Sequence, residues 1–331
     1  MTAPKTILVY SIEEISGDGL IKLPFIGGLR HAFPDAHISW CPATGNSVYG
    51  GWLKPVVAGL IDELIVEGRP GLQPLDWIAP GRPLGGRRFD LVIDTQANAL
   101  RALAMRRTAK GDFISSAAGF ALSSRKPTEP WPDAMVDQLS LLLRLAGGEG
   151  LRPVAMADPK VRAAAEAMLP SGPTYIGFGP GAGGPERRWP LENYIEVARR
   201  QHARGRTPVF VLGPGERDYV PIIRERAPYA LMPGEWADPT LSGPLLTIAL
   251  AARMSAAVAA DAGPGHMLAA GGAPLVTLFR ERRKALKFRP AAPRVEALIA
   301  QDYGDKDINL IPADAVDTAL DRLLNGSSAV L

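Results

Sequence analysis

The sequence predicts an α/β protein built from two doubly wound halves, each a parallel sheet covered by helices on both faces. Three observations carry this. Short apolar runs alternate with amphipathic stretches along the whole chain, as strand–helix repeats do. The pattern restarts after a break near residues 146–157. The length of 331 residues suits two domains of ordinary size. The expected halves are 1–150 and 151–331.

In the first half, ILVY (7–10) reads as a strand that hands over at Gly17-Asp18 to an amphipathic stretch from Leu20 to Phe33. HISWC (37–41) is a second strand, and a third is expected around Leu64–Val66. FDLVIDTQ (89–96) is a fourth strand, ending at Asp94 and Gln96. Residues 98–109 read as a helix and DFISSA (112–117) as a fifth strand. Proline and glycine punctuate 68–86, a loop or flap rather than a boundary because strand pattern resumes at Phe89. A helical run, Asp133–Ala146, leads to the break.

In the second half, TYIGFGP (174–180) is a strand running into a glycine-rich turn. PLENYIEVARRQHARG (190–205) is a helix with Pro190 at its first position and Gly205 at its end. PVFVLG (208–213), AAVAAD (256–261) and APLVTLF (273–279) are further strands, and a helix over 313–324 closes the pattern. Two such sheets would set their strand C-terminal ends toward a central cleft, where ligands of open α/β sheets bind.

Composition narrows the chemistry. Hydrophobic residues make up 47% and charged residues 21%, enough for true cores. A single cysteine, Cys41, excludes a disulfide framework and a multi-cysteine metal site. The four histidines, His31, His37, His202 and His266, are too scattered for a helical zinc pair, so no metal site is expected. MTAPKTILVY lacks the pattern of a secretory signal, and no apolar run approaches the roughly 18 residues of a membrane span. A cytoplasmic protein is expected.

The net charge of +3 is mild. Residues 1–150 carry 15 basic and 15 acidic side chains, so the excess is local. RERRKALKFR (280–289) holds six basic residues and one acid. It reads as a solvated face, or as a site facing phosphates or an anionic membrane surface. No aromatic-studded basic motif accompanies it, so nucleic acid is not an expected partner.

Three segments could carry chemistry. FGPGAGGPERRWP (178–190) links a strand to a helix through glycines 179, 181, 183 and 184. Such a turn aims backbone N–H groups at a ligand, and Arg187 and Arg188 add charge, which makes an anion site suited to a diphosphate. Otherwise it is a long surface turn. AAVAADAGPGHMLAAGG (256–272) ends a small-residue strand at Asp261 and opens a helix bearing His266. Asp261 is either a helix N-cap or a cleft carboxylate, and His266 either a packed side chain or a ligand. In ISGDGLIKLP (15–24), Asp18 is either a helix cap or a general base that takes a proton from an acceptor hydroxyl. Glu13 and Glu14 are rivals for that role.

These segments together resemble glycosyltransferase family 9, the heptosyltransferases. Asp261-Ala262-Gly263-Pro264-Gly265-His266, followed by Ala269-Ala270 and Ala273-Pro274, is similar to the family's D-T-G-x-x-H…A-A…x-P signature. GPGAGGPERRWPLENYIEVA, FDLVIDTQAN and ILVY…GDGLIKLP resemble three further family segments, in the family's order from about residue 5 to 325. The resemblance implies a GT-B fold, two Rossmann-like domains facing a central cleft, with the N-terminal domain on the acceptor side and the C-terminal domain holding a nucleotide-sugar donor. It implies inverting, metal-independent transfer of heptose from ADP-heptose onto a lipopolysaccharide core acceptor, without cofactor, at the inner face of the inner membrane.

Carried over, Asp18 would be the catalytic base. Gly181, Arg187, Arg188, Asp261, Ala262, Gly263 and His266 would bind the donor. Gln96 and Asn98 would face an anionic glycolipid acceptor. A protonated His266 would join Arg187 and helix N-terminal N–H groups in neutralising the leaving diphosphate. Three departures stand out: Ala262 replaces a threonine, Arg187 a lysine, and the loop SIEEISGD lacks a basic residue and carries two extra acids. A nucleotide-sugar epimerase and a non-catalytic nucleotide-sugar or glycolipid binder of the same fold are the alternatives.

Overall fold

In the computed structural model the chain divides into two compact units, Met1–Ala155 and Met156–Leu331. The structure describes residues 3–67, 69–73, 75–78, 83–156, 158–235, 241 and 243–326. Residues 68, 74 and 79–82 of the expected 68–86 flap therefore lie outside the described residues.

The first unit runs β1 (Thr6–Ser11), α1 (Ser16–Ala32), β2 (His37–Pro42), α2 (Lys54–Val57), β3 (Glu63–Leu64), α3 (Leu75–Ile78), β4 (Phe89–Asp94), α4 (Ala99–Arg106), β5 (Ala109–Ser115), α5 (Ala117–Phe120) and α6 (Met135–Ala146). Its five strands are parallel in the order β3-β2-β1-β4-β5. Ile7, Leu8, Val9 and Tyr10 are all fully buried, because a central parallel strand is covered on both faces. The third strand is shorter and earlier than the expected Leu64–Val66. It pairs only through Glu63 and Leu64, and Ile65 N–H then donates to Trp40 O at 2.8 Å.

Helix α1 begins four residues before the expected amphipathic stretch, so Asp18 lies inside its first turn. The N-cap position is Ile15, without a side-chain cap bond. On the far side of α1, a Cβ on Gly28 would lie 2.3 Å from Gly150 O, and one on Gly27 2.6 Å from Arg152 O. Only glycine permits this approach. Arg152 N–H donates to Pro24 O at 2.9 Å, a carbonyl next to the close contact. Residues 151–155 thus pack with the first unit.

The second unit runs α7 (Pro159–Met168), β6 (Tyr175–Gly179), α8 (Leu191–Ala203), β7 (Thr207–Phe210), α9 (Tyr219–Arg226), α10 (Pro244–Ala251), β8 (Ala256–Ala260), α11 (Gly263–Ala270), β9 (Leu275–Phe279), α12 (Arg282–Lys287), β10 (Val295–Ile299) and α13 (Ala313–Leu324). The sheet is again parallel, in the order β10-β9-β8-β6-β7. Pro190 is the N-cap of α8 rather than its first residue. Strand β10 and helix α12 are additions to the sequence expectation.

Two cores sandwich the second sheet. Ala256, Val258 and Ala260 face one, with Phe178, Phe210, Trp189 and Leu320. Ala257 and Ala259 face the other, with Leu246, Leu250, Leu268 and Leu275. The alternation is the two-residue period of a strand. Alanine on β8 leaves room for α11 to lie close over the sheet, and small residues on α11 itself allow the same.

Candidate functional site

The order of strands reverses between β6 and β8 in the second unit, and between β1 and β4 in the first. Neighbouring connections leave such a point on opposite faces, which opens a crevice at the strand C-terminal ends.

In the second unit, β6 delivers the glycine-rich turn 180–184 and a 3-10 turn, Pro185–Arg187. The exit from this turn is anchored. Trp189 is buried, donates its indole N–H to Ile311 O at 2.9 Å and meets Tyr194 edge-on at 4.8 Å. Arg188 Nε donates to Ala182 O at 3.3 Å and so braces the turn. Strand β8 ends at Ala260, which puts Asp261 at the neighbouring strand tip. Ala262, not Asp261, holds the N-cap position of α11, and its own side chain makes no cap bond. The capping reading of Asp261 is overturned.

Arg187 and Asp261 line one cavity of about 340 Å³, together with Glu186, Leu278, Arg280, Glu281, Lys284 and Ile308. Gly181, Arg188, Ala262, Gly263 and His266 lie outside its lining. Gly181 instead backs onto the buried carboxylate of Glu216: a Cβ there would stand 2.9 Å from the carboxyl carbon. Glu216 accepts Gly213 N–H at 2.9 Å.

His266 is buried, and burial alone pulls its pKa down to about 4. Burial thus favours the neutral ring over the expected imidazolium while no anion lies beside it. Positive charge in this unit's cavity comes from arginine and lysine only.

The basic run 280–289 is not one solvated face. Arg280 and Lys284 enter the cavity. Arg282 pairs with Asp302 at 2.5 Å, Arg289 donates to Val295 O, and Lys287 lies over the Phe288 ring. The sequence offers the whole run 280–289 as a solvated face or a phosphate-facing site and does not single out Arg280 and Lys284. The usable signal was positional: Arg280 directly follows the C-terminal end of β9, and Lys284 sits four residues on.

In the first unit, Asp18 is half-buried in the first turn of α1. Its rivals separate from it. Glu13 is exposed. Glu14 is buried in an ion pair with Lys22, 2.9 Å apart, and Lys22 also donates to Ser11 Oγ at 2.6 Å. Tyr49 donates its hydroxyl to Gly19 O at 2.9 Å, beside Glu14 and Asp18. Burial, aided by those two carboxylates, lifts the Tyr49 pKa well above its usual value.

At the tip of β4, Gln96 Nε2 donates to Thr95 Oγ1 at 3.3 Å. Asn98 is the N-cap of α4, its Oδ1 accepting Arg101 N–H at 3.1 Å, so half of its amide is committed to the helix. Asp94, which the sequence does not single out as a site residue, is fully buried and accepts Gln96 N–H at 2.8 Å and the Ser115 hydroxyl at 2.8 Å. Burial raises its pKa to about 7. Carboxyls shifted this far cluster at functional sites.

The sequence profile of glycosyltransferase family 9 (heptosyltransferase) matches residues 77–309. The chain belongs to that family. It is a glycosyltransferase, and its two Rossmann-like domains are those of the GT-B class. Family 9 members share the fold across nearly the full length. A Veillonella parvula glycosyl transferase of family 9 is 21% identical, with 98% of each chain covered and a TM-score of 0.68. The Escherichia coli ADP-heptose lps heptosyltransferase II is 18% identical, covering 98% of this chain and 100% of its own, at 0.62. The Escherichia coli heptosyltransferase WaaC with ADP is 17% identical, with 96% and 99% covered, at 0.62. No curated protein matches by sequence. Among the described residues no group of three or more His, Cys, Asp or Glu side chains is placed to hold a metal ion, and no helix is long and apolar enough to cross a membrane.

Proposed function

We propose that this family 9 enzyme transfers a sugar with inversion, drawing it from an ADP-sugar, heptose being the first candidate, and placing it on an anionic lipopolysaccharide core precursor. The observation that carries this reading is the cavity that joins Arg187 and Asp261 at the tips of β6 and β8. A cation and a carboxylate there suit the two parts of the donor: diphosphate against guanidinium, sugar hydroxyls against carboxylate. The family name and the ADP carried by the WaaC structure favour this donor over the epimerase alternative.

The chemistry needs a base and a charge sink. Asp18 accepts the proton of the acceptor hydroxyl as the oxygen bonds to the anomeric carbon. The bond from that carbon to the diphosphate breaks on the opposite face, which inverts the centre. The electron pair leaves on the diphosphate, where Arg187 stabilises the new charge without divalent metal. The second unit binds the donor, with Gly181, Arg188, Ala262, Gly263 and His266 holding the turn and the α11 start behind the cavity that Arg187 and Asp261 line. The first unit binds the acceptor. Gln96 offers its carbonyl and Asn98 its amide NH₂, the halves left over from their hydrogen bonds with neighbours. An acceptor of this kind places the enzyme in the cytoplasm, on the inner face of the membrane.

Incubation with ADP-heptose and a heptose-free core acceptor tests the reading, with the product's anomeric configuration read by NMR. Transfer with inversion is expected in EDTA. Asp18→Asn should abolish transfer while ADP still raises the melting temperature. Retained configuration, or full activity of Asp18→Asn, would overturn it.

A further inference from the structure

The second-unit cavity holds more positive charge than the resemblance assigns to it. Its cations are Arg187, Arg280 and Lys284; its carboxylates are Glu186, Asp261 and Glu281. The carboxylates are not equally available to those cations. Glu281 is drawn to Lys306 at 3.3 Å, and Glu186 stands 3.6 Å from Arg187. Arg280 donates Nε to the carbonyl of Lys306 at 2.9 Å, which fixes its guanidinium while leaving the η nitrogens for another acceptor. Lys284 lies over the Phe288 ring at 5.1 Å. Among the described residues neither Arg280 nor Lys284 has a carboxylate within ion-pair distance. Two cations converge on a concave site, and only backbone and ring contacts hold them.

Cations on a concave wall without a carboxylate partner of their own can make charge-assisted contacts to a polyanion. We propose that Arg280 and Lys284 bind the diphosphate of the nucleoside-diphosphate donor directly, as specificity residues of the transfer reaction. The proposal rests on the donor reading above. It also explains how the chain manages with Ala262 at the N-cap of α11, where no hydroxyl is available: charge-assisted contacts from the β9–α12 segment take over. Three cations around one diphosphate meet its charge without a metal.

The test is calorimetric titration of the purified full chain with ADP and, separately, with inorganic pyrophosphate, in EDTA at low and moderate salt. Arg280→Gln and Lys284→Gln should each weaken both probes roughly tenfold, as loss of a hydrogen bond to a charged group does. Each should also flatten the salt dependence of binding. Arg283→Gln, an exposed neighbour of equal charge outside the lining, should bind as wild type. Lys284→Arg should retain most of the affinity. If wild type binds ADP and the two glutamine variants match it, the proposal is wrong and the donor reading stands. If pyrophosphate binds and weakens in the variants but ADP does not bind, the anion site stands and the adenine-nucleotide reading falls. If neither probe binds wild type, both are wrong.

Discussion

At the scale of single residues, the buried pair Glu14–Lys22 is the most exacting feature of the first unit. Lys22 satisfies one carboxylate oxygen and Ser11, but among the described residues Glu14 Oε2 has no hydrogen-bond partner. A carboxylate so placed depends on the lysine for its charge balance. Lys22→Met should therefore destabilise the protein by about 3–5 kcal/mol, since removing one partner strands the other. Adding Glu14→Gln to that variant should recover part of the loss by removing the stranded charge. Urea midpoints of the wild type, both singles and the double read the coupling. Equal losses in Lys22→Met and the double variant would show that the pair is not coupled. This pair also sets Glu14 apart from Asp18 in a way that sequence does not show. Glu14 and Asp18 are both acids in one loop, and no residue type tells them apart. The lysine one turn after Asp18 does, by drawing Glu14 inward.

At the scale of elements, strands and most helices were legible because their signals are local. An apolar run such as ILVY is a buried parallel strand whatever surrounds it, and the closing helix over 313–324 agrees with α13. What escaped was set by contacts distant in sequence. Strand β10 (VEALI) carries a glutamate, Glu296, that is tolerated because Arg322 of α13 pairs with it. Asp261 reads from sequence as a cap or as a cleft carboxylate, and only the helix start, with Ala262 at the N-cap, places it before the cap position. Arg280 and Lys284 were hidden in a charged run whose members face different ways. The glycines of α1 make the same point, since their need shows only where the helix meets 150–152. Gly28→Ala should force α1 off that segment, and overpacking of this kind costs about 1–3 kcal/mol. Thermal unfolding measures it. Alanine at Gly205, where nothing lies near but φ is +77°, should cost less and through backbone strain alone. If Gly28→Ala were neutral, the close approach of helix and segment would be wrong.

At the scale of the whole molecule, the two units should answer pH in opposite senses, because Asp94 in one and His266 in the other are buried groups of opposite type whose shifts span the range around neutrality. In the first unit Asp94 keeps its proton up to about pH 7 when folded, against 3.8 when unfolded. The folded state then binds the extra proton, so this contribution is complete below pH 3.8 and disappears as pH rises through 7. In the second unit His266 stays neutral down to about pH 4, against 6.5 unfolded. There the unfolded state binds the extra proton, so the contribution is complete above pH 6.5 and is lost as pH falls toward 4. At about 1.4 kcal/mol per unit, the two spans amount to roughly 4 and 3 kcal/mol. The carboxylates held near pKa 2, Glu63, Asp90 and Glu196, titrate too low to matter above pH 5. Between pH 5.5 and 7.5, hydrogen exchange corrected for its intrinsic pH dependence should show β4 and β5 losing protection while β8 and α11 gain it. A global melting temperature would hide this, because the terms offset. Asp94→Asn should abolish the loss in the first unit and leave the second unchanged, since the amide can still accept Gln96 N–H and meet Ser115. Parallel changes in both units, or an Asp94→Asn protein with the wild-type trend, would mean that the buried carboxyl is ionised in the folded state.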